Sequence, residues 1–333
     1  MKIGVILPLT GDLSFLGEEM RNGISLAVED INSKNERKIE ITMEDSKMDP
    51  KEGVSAVNKL TDVDGVKYVH AFGTPVISAV QPITENKKIV LTGASIAPTI
   101  LENSNYTLRI FYNLGQSLDK FTEFISQNNY TEIAVIYQSG EAWERQVIKL
   151  EESGIKFIRK EKFNMGERDF RTMLLKIKDS KPELIILLAY GSHFPSIFQQ
   201  LEELNMGNIP VLGGLDFLEV PKESKDLYKN AIFTIPSFNI LPAGKSKEFI
   251  QEYENKFRTI PTHQAAYAYD TITLLYLGAT GTDGTPQRVI DYIKNLGSYE
   301  GAIGHIEILP NGDTKGTLSF ATYNNGTITL YKG

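Results

Sequence analysis

The residues in this chain that can do chemistry are types and spacings suited to holding a small molecule rather than transforming one. Cysteine is absent, which removes disulfides, thiol nucleophiles and thiolate zinc sites. His70, His193, His263 and His305 are scattered without the short spacing of metal ligands, so structural or surface roles are expected for all four. No G-x-S-x-G elbow raises a nucleophilic serine, and Gly93-Ala-Ser-Ile-Ala97 departs from that pattern at its last position. Neither G-x-G-x-x-G nor G-x-x-x-x-G-K-[ST] occurs, so no dinucleotide fingerprint or P-loop is present. The acidic pairs Glu18-Glu19 and Glu202-Glu203 fall on expected helices, where a solvated face is the plain reading. The expectation is a protein that is not an enzyme and uses no cofactor or metal.

What remains is a set of polar and aromatic residues directly after strands, where a parallel sheet offers its carboxyl edge to a ligand. Thr74 follows Phe72-Gly73 and either caps its own helix or helps a helix N-terminus receive an anion. Ala94-Ser95 follows an apolar run, and Ser95 either steadies the loop or holds a polar ligand head. Trp143, the only tryptophan, comes after a strand through the polar loop 138–142, and is either core or a stacking surface. Tyr190 ends a buried strand and offers a ring and a hydroxyl. Asp216 follows Leu212-Gly-Gly-Leu215, serving either a turn or a ligand cation.

These residues need a scaffold of alternating strands and helices. Strand-like apolar runs occupy 3–9, 39–43, 66–72, 89–92, 133–137, 184–189 and 211–213, with helical stretches between them. The first helix carries Met20, Ile24, Ala27, Val28 and Ile31 on one face. Asp49-Pro50 supplies an N-cap and first-turn proline for a second, and a third starts after Gly73-Thr74 and ends before Lys87-Lys88. A second βα series begins near Thr131 and runs to about Ile235. Helices at 247–257 and 264–277 follow, then short strands around Asn311-Gly312 and Asn324-Asn325-Gly326. This pattern predicts an α/β fold of two Rossmann-like, doubly wound lobes. Lobe 1 is 1–115 with 243–318 and lobe 2 is 116–242 with 319–333. Three crossing strands join them above a ligand cleft, a hinged arrangement.

Of the 333 residues 41% are hydrophobic and 23% charged, the balance of a globular protein with two cores. The formal charge of -7, with Lys and Arg interspersed among acids, argues against a nucleic-acid partner. No apolar run reaches membrane-spanning length. Met1-Lys2 leads straight into the first strand, so the chain is expected to be either cytoplasmic or an exported protein whose signal peptide has been removed.

Several segments occur in a familiar order: Ile3-Gly-Val-Ile-Leu-Pro-Leu-Thr-Gly11 with Asn22-Gly23 and Ala27-Val-Glu-Asp-Ile-Asn32, then Glu44-Asp45-Ser46 with Asp49-Pro50. Gln81-Pro-Ile-Thr-Glu85, Ala94-Ser-Ile-Ala-Pro98, Ala266-Tyr-Ala-Tyr-Asp270 and Gly304 with Asn311-Gly-Asp313 complete the series. From end to end the chain resembles a type I periplasmic binding protein of the branched-chain amino-acid (Leu/Ile/Val-binding) family of ABC-transporter receptors. The resemblance implies a monomeric periplasmic or extracytoplasmic receptor that closes on a small solute, an amino acid or related carboxylate or amide, and delivers it to ABC permease subunits. It implies that Thr74 and Pro75 match paired serines holding a carboxylate, although Pro75 has no N–H to give. Ala94 and Ser95 match the ammonium-binding segment, with Ile96 where relatives commonly carry a hydroxyl. Trp143 and Tyr190 match aromatic cleft positions, Asp216 lies at or beside an acidic one, and Phe15 and Leu16 sit in a loop that touches ligand side chains. A different class of function, a cytoplasmic sensor of the same fold acting through a partner protein, is the alternative.

Overall fold

The computed structural model describes residues 1–220 and 226–332. The chain forms two compact units, residues 1–114 with 241–317 and residues 115–240 with 318–333, so it passes three times from one to the other.

In the first unit β1 (Lys2–Leu7) is followed by α1 (Ser14–Lys34), β2 (Glu40–Asp45), α2 (Pro50–Asn58), β3 (Tyr68–Phe72), α3 (Thr74–Lys87), β4 (Val90–Ala94) and β5 (Thr107–Leu108). The strands make an all-parallel sheet in the order β2-β1-β3-β4-β5. Ile3, Val5, Ile6 and Leu7 of β1 are wholly buried, as a strand covered on both faces must be. Asp49 caps α2 by accepting from the Lys51 and Glu52 amides at 2.7 and 3.3 Å, with Pro50 in the first turn. Strand ends shift by a few residues from the sequence reading, and two boundaries bear on the candidate residues and the helix ends. Phe15 and Leu16 lie in the first turn of α1 rather than in the loop before it, and α3 keeps Lys87 and stops at Lys88, which is left-handed.

The second unit begins with α4 (Leu114–Gln127), whose first residue marks the first passage. There follow β6 (Ile133–Gln138), α5 (Glu141–Glu152), β7 (Phe157–Phe163), α6 (Arg171–Asp179), β8 (Leu184–Leu188), α7 (Phe194–Glu203), β9 (Val211–Gly213) and β10 (Ala231–Pro236). Helix α5 starts before Trp143, so that residue is helical and not at the end of a longer loop. Alternate residues of β6 and β8 feed two separate cores. Ala134, Ile136, Ile185 and Leu187 join Phe194, Phe198 and Phe217 on one face, while Ile133, Val135, Leu184 and Ile186 join Phe121, Trp143 and Leu150 on the other.

The chain then returns to the first unit with α8 (Lys245–Phe257), α9 (His263–Thr280), α10 (Pro286–Asn295) and a small antiparallel sheet of β11 (Ser298–Gly301), β12 (Gly304–Ile308) and β13 (Thr314–Gly316). Asp270 reaches from α9 to the turn joining β11 and β12, accepting the Ala302 and Ile303 amides at 2.7 and 2.9 Å. Burial pushes its carboxyl up to about 7 despite those two bonds. After the third passage, β14 (Leu318–Asn324) joins the second sheet antiparallel to β10 and β15 (Thr327–Leu330) pairs antiparallel with β14, giving the order β15-β14-β10-β9-β8-β6-β7. Their turn, Asn325-Gly326, has positive φ at both residues, as a two-residue hairpin requires.

Helices α1 and α9 touch backbone to backbone at Gly23, where an added Cβ would stand 2.1 Å from the Ala265 carbonyl oxygen. Gly23→Ala is expected to lower stability by about 1–3 kcal/mol through forced separation of the two helices. A urea midpoint equal to the wild type would show that they can part at no cost.

Candidate functional site

The parallel part of each large sheet has a topological switch, and the candidate residues follow strands at or beside both. In the first unit the order β2-β1-β3-β4 puts the switch between β1 and β3, so the segments after β1, β3 and β4 emerge side by side. Phe15, 56% exposed, and half-buried Leu16 follow β1; Thr74 follows β3; Ala94, Ser95 and Ile96 close or follow β4. The loop after β1 is gripped by Asp45 at the end of β2. Its carboxylate accepts the Leu9 and Thr10 amides at 2.8 and 3.3 Å, the Thr10 hydroxyl at 2.5 Å and the Lys47 amide at 2.9 Å. Burial pushes this carboxyl up, but the Thr10 hydroxyl and the three amides outweigh it and leave it below the usual range.

Gly73, with a φ of 90° that suits only glycine, turns β3 into α3 and donates its amide to the Ala94 carbonyl at 3.1 Å. The next side chain, Thr74, shares a hydrogen bond of 2.7 Å with buried Ser95, whose Oγ also accepts the Ala97 amide at 3.0 Å. Two hydroxyls thus meet at the positive end of a fourteen-residue helix, in the geometry that favours an anion. Pro75 is exposed and lends no amide. The Ile96 side chain is 41% exposed, and its carbonyl accepts from Arg109 Nη1 at 3.1 Å.

In the second unit the switch falls between β6 and β8. Trp143, in the first turn of α5 after β6, donates its amide to the Gly140 carbonyl at 3.1 Å and is only 7% exposed, packed among Leu118, Val147 and Leu188. Tyr190, just past β8, stands edge-on to it with ring centroids 5.5 Å apart and an interplanar angle of 88°. Tyr190 is 49% exposed, so it is the tyrosine ring that faces solvent while the tryptophan braces it. Asp216 lies one strand further along, half-buried in a 3-10 turn after β9.

The other titratable groups are occupied elsewhere. His70 Nδ1 is 3.1 Å from both oxygens of Thr92, and burial holds its imidazole down to about 4, against a smaller opposing effect of the Thr92 backbone hydrogen bond. His263 is buried against Phe111, His193 leans on Phe163 with centroids 5.2 Å apart, and exposed His305 meets Glu300 at 2.5 Å. Glu19 corrects the solvated-face reading: it is half-buried, accepts the Thr262 hydroxyl, and is raised mainly by burial. Glu202 and Glu203 are exposed and paired with Lys229 and Arg171. Among the described residues no group of three or more His, Asp or Glu could hold a metal ion.

Sequence reasoning missed Arg109. A fully buried arginine inside the apolar stretch Leu108-Arg-Ile-Phe-Tyr112 must find a partner, and that demand was its readable signal. The partner is Asp313, quoted from the sequence only as part of Asn311-Gly-Asp313.

The sequence matches one protein family over nearly its whole length. The periplasmic binding protein family model matches residues 1–327, and the chain belongs to that family. It is 26% identical, over 97% of its length and 89% of the relative's, to the leucine-, isoleucine-, valine-, threonine- and alanine-binding protein of Pseudomonas aeruginosa. The fold is similar to the branched-chain amino acid transporter substrate-binding protein LivJ of Streptococcus pneumoniae, solved with isoleucine. The TM-score is 0.82 at 21% identity, covering 100% of this chain and 99% of that one. It is also similar to an ABC-transporter solute-binding protein of Rhodopseudomonas palustris solved with 3,4-dihydroxybenzoic acid. Here the TM-score is 0.81 at 21% identity, covering 99% and 96%. The fold is accordingly that of a type I periplasmic binding protein. Among the described residues no helix is long and apolar enough to cross a membrane.

Burial lowers the His263 imidazole from 6.5 to about 4. The unfolded chain therefore takes up this proton first, and stability is lost as pH falls from about 6.5 to about 4. His263→Phe removes that loss, so its stability relative to wild type should rise by about 3 kcal/mol across the window. Urea midpoints in steps from pH 7 to 4 read this out, and a constant offset between the two proteins would refute it.

Proposed function

We propose that this protein is the extracytoplasmic solute receptor of an ABC importer. It takes an amino acid or a related small carboxylate or amide with an apolar or aromatic body, closes on it by hinge motion at the three passages, and as a monomer presents it to membrane permease subunits. The observation that carries the reading is the Thr74–Ser95 hydroxyl pair at the N-terminus of α3. With the Ala97 amide already given to Ser95 Oγ, a chain in which Ser95 donates to Thr74 turns the threonine hydroxyl hydrogen toward a bound oxygen. A carboxylate there meets that hydroxyl, first-turn amides and the helix dipole.

The body of the ligand is read from what surrounds this head. Phe15, Ile96 and Tyr190 are the exposed apolar and aromatic side chains at the two switch edges, and Trp143 backs Tyr190. Asp216, half-buried after β9, is the acidic residue assigned to a ligand cation in this reading. Isoleucine and 3,4-dihydroxybenzoic acid, found in the two solved relatives, are both small carboxylates with an apolar or aromatic body. The loss of a hydroxyl at Ile96 weakens the case for an ammonium, which needs acceptors once desolvated.

Thermal shift with leucine, isoleucine, phenylalanine, benzoate and acetamide tests the reading. At least one is expected to raise Tm progressively with concentration, as about 2.7 kcal/mol of stabilisation accrues at a hundredfold excess over Kd. A flat response across the set rejects the proposal. For a carboxylate that binds, Thr74→Val is expected to weaken affinity about tenfold, the equivalent of about 1.4 kcal/mol. Tyr190→Ala should weaken an aromatic ligand more than an aliphatic one, and equal losses would remove the ring from the site.

A further inference from the structure

We propose that Arg109 is a positioning residue that ties the ligand-contacting loop 95–97 to two of the three chain passages, so that a ligand's hold on the loop reaches those passages. The inference rests on the receptor reading above. Arg109 is wholly buried, and its guanidinium is spent in two directions. Nη1 donates to the Ile96 carbonyl at 3.1 Å, while Nε and Nη2 form a fork on Asp313 Oδ1 and Oδ2 at 2.7 and 2.5 Å.

Both ends of that fork lie just ahead of a passage. Arg109 stands five residues before the passage at 114/115, and Asp313 four before the one at 317/318. The two segments are sewn together further by Asn113 Nδ2 to Asp313 Oδ2 at 2.9 Å, by the Thr314 hydroxyl to the Arg109 and Phe111 carbonyls at 3.0 and 3.3 Å, and by the Arg109 amide to the Gly312 carbonyl at 2.8 Å. On the other side, Ile96 lies between Ser95, which holds Thr74, and Ala97, whose amide bonds back to Ser95. One side chain thus makes a hydrogen-bonded link between the candidate anion site and the paired segments. A lysine would keep the charge opposite Asp313, but its single ammonium cannot reproduce the fixed fork.

Hydrogen exchange on the free protein, with binding of isoleucine and benzoate followed by calorimetry, tests this in Arg109→Lys and Asp313→Asn. In Arg109→Lys, amides of 95–98 and 110–116 are expected to exchange at least tenfold faster while those of β8 stay unchanged, and a probe that binds wild type should bind at least tenfold more weakly. Asp313→Asn keeps the donor to Ile96, so 110–116 should loosen more than 95–98. Unchanged exchange at 95–98 in a folded Arg109→Lys protein, or an unchanged probe affinity, overturns the proposal. If Arg109→Lys does not fold, equal loosening of both segments and of β8 in Asp313→Asn overturns it as a merely structural pair. Should neither probe bind wild type, the choice of ligand class fails, and the exchange pattern still decides the role of Arg109.

Discussion

A parallel strand covered by helices on both faces has only its ends in reach of water, and that constraint decides where this protein can keep polar and aromatic groups for a ligand. β1, β3, β4, β6 and β8 are buried along almost their whole length, so their interiors hold Val, Ile, Leu and Ala with few exceptions. One exception, His70, is kept neutral at the cost of its basicity. The candidate contact residues stand instead in the segments that follow the carboxyl ends of strands, some of them in the first turn of the next helix. The strand order then brings three such ends together in each unit, and helix N-termini follow directly behind them.

The chemistry offered at the two edges differs. The first edge carries the Thr74 and Ser95 hydroxyls at a helix terminus beside exposed Phe15 and Ile96, with the Asp45 carboxylate engaged by four donors. The second offers rings, with Tyr190 held against Trp143, and one acid, Asp216. Under the proposed function, these are groups suited to a charged head and an apolar or aromatic body.

Much of this was legible in the residues because local and global demands agree. Apolar runs bounded by Gly, Pro and Asp marked the buried strands, and Asp49-Pro50 and Asn325-Gly326 marked a cap and a turn that the structure contains. Edge elements were less legible. β7, Phe157–Phe163, interleaves Arg, Lys and Glu at the sheet margin, with Lys160 and Lys162 exposed and Glu161 buried, and β5 is two residues long, so neither has the apolar run that identifies a covered strand. Trp143 illustrates the harder limit. Its type and place were visible, but whether a ring at a strand end faces solvent or core depends on what packs beside it, and Tyr190 takes the outer place. Glu19 is similar: its helical spacing suggested a wet face, and only the approach of Thr262, more than two hundred residues away, covers it.

Arg109 shows the same dependence on distant sequence in its strongest form. A buried guanidinium loses most of its hydration, and an ion pair recovers that loss only where geometry and extra hydrogen bonds are nearly complete. Here Asp313 has both oxygens engaged, by the fork, by Asn113 and by the Thr314 amide at 2.8 Å. Hydrophobic residues of similar volume would stabilise the region as well or better, so stability alone is a poor reason for such a pair. What it supplies is direction. Charged groups with fixed donors and acceptors permit one relative placement of the 109–113 and 313–314 segments, whereas apolar contacts tolerate many. If loop 95–97 holds a ligand as proposed, that restriction keeps the two passages in register while it does so.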